Sequence, residues 1–259
     1  MKDKLKSWFE RPFAAFIYFT RLPFWRLYQP SKESYASVVE WWPLTGWLTG
    51  GLMALVVYFG NLLFPHIVTV VLAIALRMML TGAMHEDGLA DFFDGFGGGG
   101  RDRQRILDIM KDSRIGTYGV IALMIYVMLL FFSIYLLPTD KAALCIFAAD
   151  PFSKMVASQL VMMLPYARSE QTAKSGVVYR KPSTAAGIGL ALQGLLPLAL
   201  FLFLFDVAWE YVVFVPAVIM YFLYRFIWQR LRGYTGDCCG AVCLLVELSV
   251  YLVVCSSLA

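Results

Sequence analysis

Charge is scarce in this chain of 259 residues: 15% are Asp, Glu, Lys or Arg against 60% hydrophobic, and mean hydropathy is +0.67. That balance excludes an ordinary water-soluble globule, which needs far less apolar material for its core, and marks a membrane protein. No cleavable-signal pattern is expected in the first residues either. Lys2–Thr20 is broken by Glu10, Arg11 and Pro12 and lacks a small-residue cleavage site, so it is expected to lie as an interfacial helix before the first span. No internal repeat is visible. The cysteines, Cys145, Cys238, Cys239, Cys243 and Cys255, lie in or beside apolar segments and read as small packing residues rather than thiolate ligands.

Against these absences stands a series of apolar segments of about 20 residues, the length that crosses a bilayer. They fall near 42–63, 67–84, 115–137, 142–165, 186–205, 208–225 and 238–257. Seven spans are expected. Six or eight stay open, because Glu210 and Pro216 interrupt one segment and only Phe64-Pro65-His66 separates the first two. The predicted fold is an all-α polytopic membrane helix bundle, one domain over 1–259, with 1–40 cytoplasmic or interfacial and 85–114 a cytoplasmic loop carrying the site.

Lysine and arginine set the orientation, since they are retained on the cytoplasmic side of short loops. Seven precede the first span, five lie in 85–114, four in 166–185 and three in 225–237, whereas the opposite loops hold only Lys141. The amino end and the 85–114 loop therefore face the cytoplasm, which for a bacterial protein means the inner membrane. The same bias accounts for the net charge of +4 without a nucleic-acid partner.

No base interrupts the segment His85-Glu86-Asp87-Gly88-Leu89-Ala90-Asp91-Phe92-Phe93-Asp94-Gly95. On a helix, Asp87, Asp91 and Asp94 fall within an arc of roughly 60°. Like charges so close repel by on the order of 1–4 kcal/mol per pair, and a hard divalent cation with oxygen ligands relieves that repulsion. His85 opens this helix as a candidate ligand or proton carrier, while His66 sits idle in an outer turn. Gly88 and Gly95 leave the backbone open to close approach.

Gly95-Phe96-Gly97-Gly98-Gly99-Gly100 matches Gly-x-Gly-x-x-Gly literally but follows an acidic helix, not a buried strand, and is no dinucleotide fingerprint. Gly97–Gly100 is expected to act as a hinge. The helix expected at 101–112 sets Arg101, Arg105, Asp108 and Asp112 on one stripe, open to reading as surface ion pairs. Lys111-Asp112-Ser113-Arg114-Ile115-Gly116-Thr117 crowds cations and hydroxyls at a membrane entrance, which suits phosphate oxygens.

Charged residues also lie deep in the spans. Glu247 is roughly 15 Å along its helix from Asp237, in Tyr234-Thr235-Gly236-Asp237, and Arg77 and Lys154 are about 12 and 16 Å inward. A carboxylate at such depth costs roughly 2.5–3.5 kcal/mol and calls for a partner or a role. Asp150 stands one turn from Lys154 and can pair with it. Either these groups fix helix packing or they line a polar cavity.

Acidic residues at neighbouring membrane helices, a divalent ion and flanking bases form a site for moving a phosphoryl-linked group from a nucleoside diphosphate to an alcohol. At these residues the chain resembles the cobalamin synthase (adenosylcobinamide-GDP ribazoletransferase) family. The resemblance rests on His85 through Gly95, Arg101-Asp102-Arg103, Ile109 through Thr117, Thr235-Gly236-Asp237 with Glu247, Phe19-Thr20-Arg21-Leu22-Pro23, and Pro43, Gly46 and Gly50. Phe92, Phe93 and the 166–181 loop with Lys174-Ser175-Gly176 depart from the family pattern.

The resemblance implies that the ribose hydroxyl of α-ribazole or its 5′-phosphate attacks the cobinamide-bound phosphorus of adenosylcobinamide-GDP, releasing GMP, with Mg2+ as cofactor. Asp87, Asp91 and Asp94 would hold the metal, with Asp91, Asp94 or His85 taking the proton. Arg101, Arg103, Lys111, Asp112, Arg114, Asp237 and Glu247 would contact substrate. Membrane lipid surrounds such a chain, and a homo-oligomer is left open. Two other readings are a CDP-alcohol phosphatidyltransferase-like lipid head-group enzyme and a cation transporter using Arg77, Asp150, Lys154 and Glu247.

Overall fold

The computed structural model describes residues 2–168 and 178–257, with side chains from Phe9 onward. Lys174-Ser175-Gly176 lies outside the described residues. Ten α-helices follow one another: α1 (Lys2–Phe19), α2 (Trp42–Gly60), α3 (His66–Thr81), α4 (Met84–Gly98), α5 (Arg103–Lys111), α6 (Thr117–Tyr135), α7 (Thr139–Met163), α8 (Thr184–Leu204), α9 (Trp209–Leu231) and α10 (Gly236–Ser256). A 3-10 stretch, Lys32–Trp41, runs into α2. Among the described residues there is no strand, only an isolated bridge between Tyr166 and Tyr234.

Local chemistry starts these helices. Pro43 stands in the first turn of α2, where its missing N–H costs nothing. Asp102 accepts from the N–H groups of Gln104 and Arg105 to cap α5, and the Thr235 hydroxyl accepts from Cys238 N–H to cap α10.

Among the described residues six helices are long and apolar enough to cross a membrane, and α3 with α4, bent by 86°, makes a seventh if the pair is one broken span. The segment expected as a span near 67–84 forms α3. It ends at Thr81, because Gly82 and Ala83 both take left-handed backbone (φ 64° and 54°). At 16 residues α3 is roughly 24 Å long, short of a bilayer core of about 30 Å.

α7 and α10 form the centre, with 72% and 78% of their spanning windows buried, against 28% in α6 and α8 and 22% in α9. The outer helices turn Ile121, Met124, Phe203, Phe214 and Phe222 outward. Such an apolar exterior suits lipid. The five cysteines are all free, four of them buried, as packing residues would be.

Small residues let α2 lie along α7. A Cβ on Gly46 would come within 2.8 Å of Pro151 N and 2.9 Å of Asp150 Oδ1, whereas one on Gly51 would meet only the Phe147 ring at 3.8 Å. Gly46→Ala is therefore expected to destabilise by about 1–3 kcal/mol through overpacking. Thermal unfolding in detergent checks this: Gly46→Ala lowers the midpoint and Gly51→Ala does not.

The glycine run is not the hinge its composition suggests. α4 continues through Gly97 and Gly98, and added Cβ atoms would lie 2.6 Å from the Tyr118 ring at Gly97 and 2.5 Å from Ile106 Cγ1 at Gly99. These positions lack side chains because α4, α5 and α6 close on one another there.

Candidate active site

The site grows out of the break between α3 and α4. The left-handed Gly82 closes α3, its N–H reaching the Met78 and Met79 carbonyls. The Leu80 carbonyl in the same last turn accepts from Arg21 N–H at 2.6 Å. The Arg21 side chain then lies over Gly82 so closely that a Cβ there would be 2.2 Å from Nε. From this elbow α4 starts across the face of α10. A Cβ on Gly88 would be 3.2 Å from Asp237 Cα, and one on Gly240 would be 3.4 Å from His85 Cα. Asp87 and Asp237, each in the first turn of its helix, are thereby brought to one pocket.

That pocket has a volume of about 400 Å³. Its carboxylates are Asp87 and Asp237 and its cations are Arg21 and Arg168. Two helix N-termini, with their partial positive charge, open at it. Its aromatic wall holds three nearly parallel rings. Phe19 and Trp42 have centroids 5.1 Å apart at 13°, Trp42 and His85 5.7 Å at 16°, and Phe19 and His85 6.5 Å at 12°. Tyr18 and Tyr179 share a hydroxyl hydrogen bond of 2.9 Å beside them. The Tyr166–Tyr234 bridge, with Ala167 N–H to Tyr234 O at 2.8 Å, ties the segment carrying Tyr166 and Arg168 to the start of α10.

The acidic residues of α4 do not share one task. Asp87 lines the pocket, whereas Asp91, one turn along, is buried and does not. Asp94 accepts from Gly116 N–H at 2.7 Å and Gly119 N–H at 2.9 Å, so both oxygens are engaged in starting α6. A Cβ at Gly116 would lie 2.5 Å from Asp94 Oδ1, which is why glycine stands there. His85 lies against the rings of Phe19 and Trp42 at the pocket wall. Among the described residues no three His, Cys, Asp or Glu side chains are grouped to enclose a metal ion.

Most of the bases expected to hold substrate lie elsewhere. Arg103 donates to the Leu231 carbonyl at 2.8 Å and the Ala167 carbonyl at 2.5 Å, tethering α5 to the ends of α9 and the 165–168 segment. α5 starts at Arg103, so Arg101 lies before it and Asp112 after it, off the expected stripe. Arg101 and Lys111 are exposed and do not line the pocket. Arg114 is paired with Asp112 at 2.6 Å, and the Arg114 hydrogen bonds hold the Asp112 carboxyl down at about 2. Arg21, from within Phe19-Thr20-Arg21-Leu22-Pro23, is a base that does line the pocket. Tyr166 and Arg168 carry no signal in the sequence, being delivered by a bridge between distant segments.

Glu247 meets a partner. Arg77 donates to its two oxygens at 2.5 and 2.7 Å and to the Tyr126 hydroxyl at 2.6 Å, while the Tyr251 hydroxyl donates to Glu247 Oε1 at 2.7 Å. Glu86 stands 3.5 Å from Arg77, so the residue beside Asp87 is anchored to α3. Lys154 pairs with Asp150, whose other oxygen accepts from Thr49 at 2.7 Å. All these charges are buried.

The sequence profile of cobalamin-5-phosphate synthases matches residues 11–255. The chain is 38% identical over 241 residues to a Vibrio parahaemolyticus protein named adenosylcobinamide-GDP ribazoletransferase, covering 92% of this chain and 89% of the relative. A Leptospira interrogans protein of the same name is 30% identical over 256 residues, with 96% of each chain covered. One from Shewanella frigidimarina is 34% identical over 248 residues, with 93% and 92% covered. No solved structure matches.

Proposed function

Because this chain belongs to the cobalamin-5-phosphate synthase family, we propose that it joins the cobinamide phosphate of adenosylcobinamide-GDP to α-ribazole or its 5′-phosphate and releases GMP. The observation that carries this reading onto the structure is the pairing of Asp87 and Asp237 from facing helices in one pocket with Arg21 and Arg168. In this reaction the acceptor's ribose oxygen forms a bond to the cobinamide-bound phosphorus while the bond from that phosphorus to the GMP oxygen breaks. Arg21 and Arg168, with the starts of α4 and α10, hold the phosphate oxygens as charge shifts onto the leaving GMP. The hydroxyl proton passes to the Asp87–Asp237 carboxylates.

The donor set also fits Mg2+, which takes one or two carboxylates and completes its shell with substrate phosphates and water. One of Asp87 and Asp237 would hold it, with the other left to take the hydroxyl proton. When bound, such an ion polarises the phosphoryl oxygens and neutralises developing charge. The basic bias of the loops supports a pocket open to the cytoplasm and placement in the inner membrane of a bacterium. The transporter reading loses ground because Arg77, Glu247, Asp150 and Lys154 are engaged with one another rather than along a path.

Purified protein in proteoliposomes, given adenosylcobinamide-GDP and α-ribazole, is expected to yield cobalamin and GMP in equal amounts with Mg2+ and little product with EDTA. CDP-diacylglycerol is expected to yield no lipid product. Product formation undiminished by chelation refutes the metal role, and turnover of the lipid donor alone refutes the substrate class.

A further inference from the structure

We infer that the ring platform of Phe19, Trp42 and His85 seats the flat base of the acceptor nucleoside. The inference rests on the function proposed above and adds to it which substrate part enters the pocket, and how it is held.

Size decides first. At about 400 Å³ the pocket is at the small end of ligand sites, enough for one nucleoside and too small for a corrin ring. The corrinoid must therefore lie outside, with only a limb reaching the carboxylates. Shape comes next. The three rings stack on one another within 16° of parallel, a stack at the pocket wall that a planar heterocycle can extend, and aromatic stacking recognises any base by its face.

Two nucleosides take part in the reaction, the benzimidazole acceptor and the guanosine of the donor. Polarity separates them. Guanine carries a carbonyl, a ring N–H, an amino group and a free N7, and each would need a partner when buried. The hydroxyls of Tyr18 and Tyr179 beside the platform are bonded to each other at 2.9 Å. A dimethylbenzimidazole presents one free ring nitrogen and two methyl groups. Ring faces offer no in-plane partner to a stacked base's edge, so the base with one free nitrogen and two methyl groups suits the platform better than guanine. Stacked there, the acceptor has its ribose beside Asp87 and Asp237, on the same pocket, where its hydroxyl must lose a proton.

Steady-state kinetics of Trp42→Leu and Phe19→Leu test this, each substrate being varied at saturating partner. One stacked ring is worth roughly a factor of 5 to 150 in binding. The acceptor KM is expected to rise within that range while the donor KM changes less than twofold. A rise confined to the donor KM places guanosine on the platform and overturns the inference, as does no change in either. Because Trp42 is buried and its variant can fail to fold, the wild-type protein supplies a second arm. Free 5,6-dimethylbenzimidazole should inhibit competitively against the acceptor and not the donor, and guanosine should not compete with the acceptor; the reverse pattern overturns the inference. Wild-type protein that makes no product from the substrate pair refutes the proposed function instead.

Discussion

Asp87→Asn and Asp237→Asn are each expected to lower turnover by roughly 10²–10⁴-fold, the loss typical of removing a group that handles a proton or developing charge at the reacting centre. Both side chains line the pocket from the first turns of facing helices. Neither variant removes bulk, so any fall in the unfolding midpoint should be small beside the loss of turnover. Asp94→Asn should behave in the opposite way. Its carboxylate holds the Gly116 and Gly119 N–H groups at the start of α6, and charge-assisted bonds of this kind contribute about 1.5–3 kcal/mol. It should lower the midpoint and leave most of the turnover of the protein that remains folded. The rate of GMP release and thermal unfolding, measured on the same purified samples, check all three. Loss of turnover in Asp94→Asn at an unchanged midpoint, with Asp87→Asn active, would return the chemistry to the helical triad and away from this pocket.

The second large effect concerns stability. Arg77→Met leaves Glu247 and Glu86 buried without their cation, and breaking a buried pair from one side costs about 3–5 kcal/mol. The yield of monodisperse protein should fall sharply. In Arg77→Met/Glu247→Met the closer pair is gone and only Glu86 stays without its cation, and since an apolar replacement of a buried pair is often neutral or stabilising, part of the lost stability should return. A double variant no better than the single one would show that Arg77 acts through another contact.

These two sets of residues also show how far the amino-acid sequence could be read. The spans, the depth of Arg77, Lys154 and Glu247, and the Asp150–Lys154 pairing follow from hydropathy and helical rise, because both are local properties. The acidic triad was drawn from an angular count on one helix, and that count cannot say which neighbour each carboxylate meets. Asp87 faces α10, Glu86 reaches Arg77 on α3 and Asp94 caps α6, because different helices pack on different faces of α4. Gly82 and Ala83 hide an 86° turn inside an apolar run, since a left-handed alanine leaves no mark in composition. Arg168 and Tyr166 reach the pocket by pairing across distant segments, which no periodicity records.

The two buried ion pairs differ in when they can form. Lys154 and Asp150 lie on one helix, four residues apart, so α7 leaves the ribosome with its charges already matched. Arg77 and Glu247 are separated by 170 residues. At synthesis rates of about 5–20 residues per second, the guanidinium waits on the order of ten to thirty seconds for its counter-ion to be made. During that interval the half-finished chain has only Glu86, at 3.5 Å, to match this cation, and insertion of α10 supplies the closer, two-oxygen partner. Arrival of α10 thus locks the assembly, and a nascent chain truncated before it presents to the cell's proteases a bundle that cannot close.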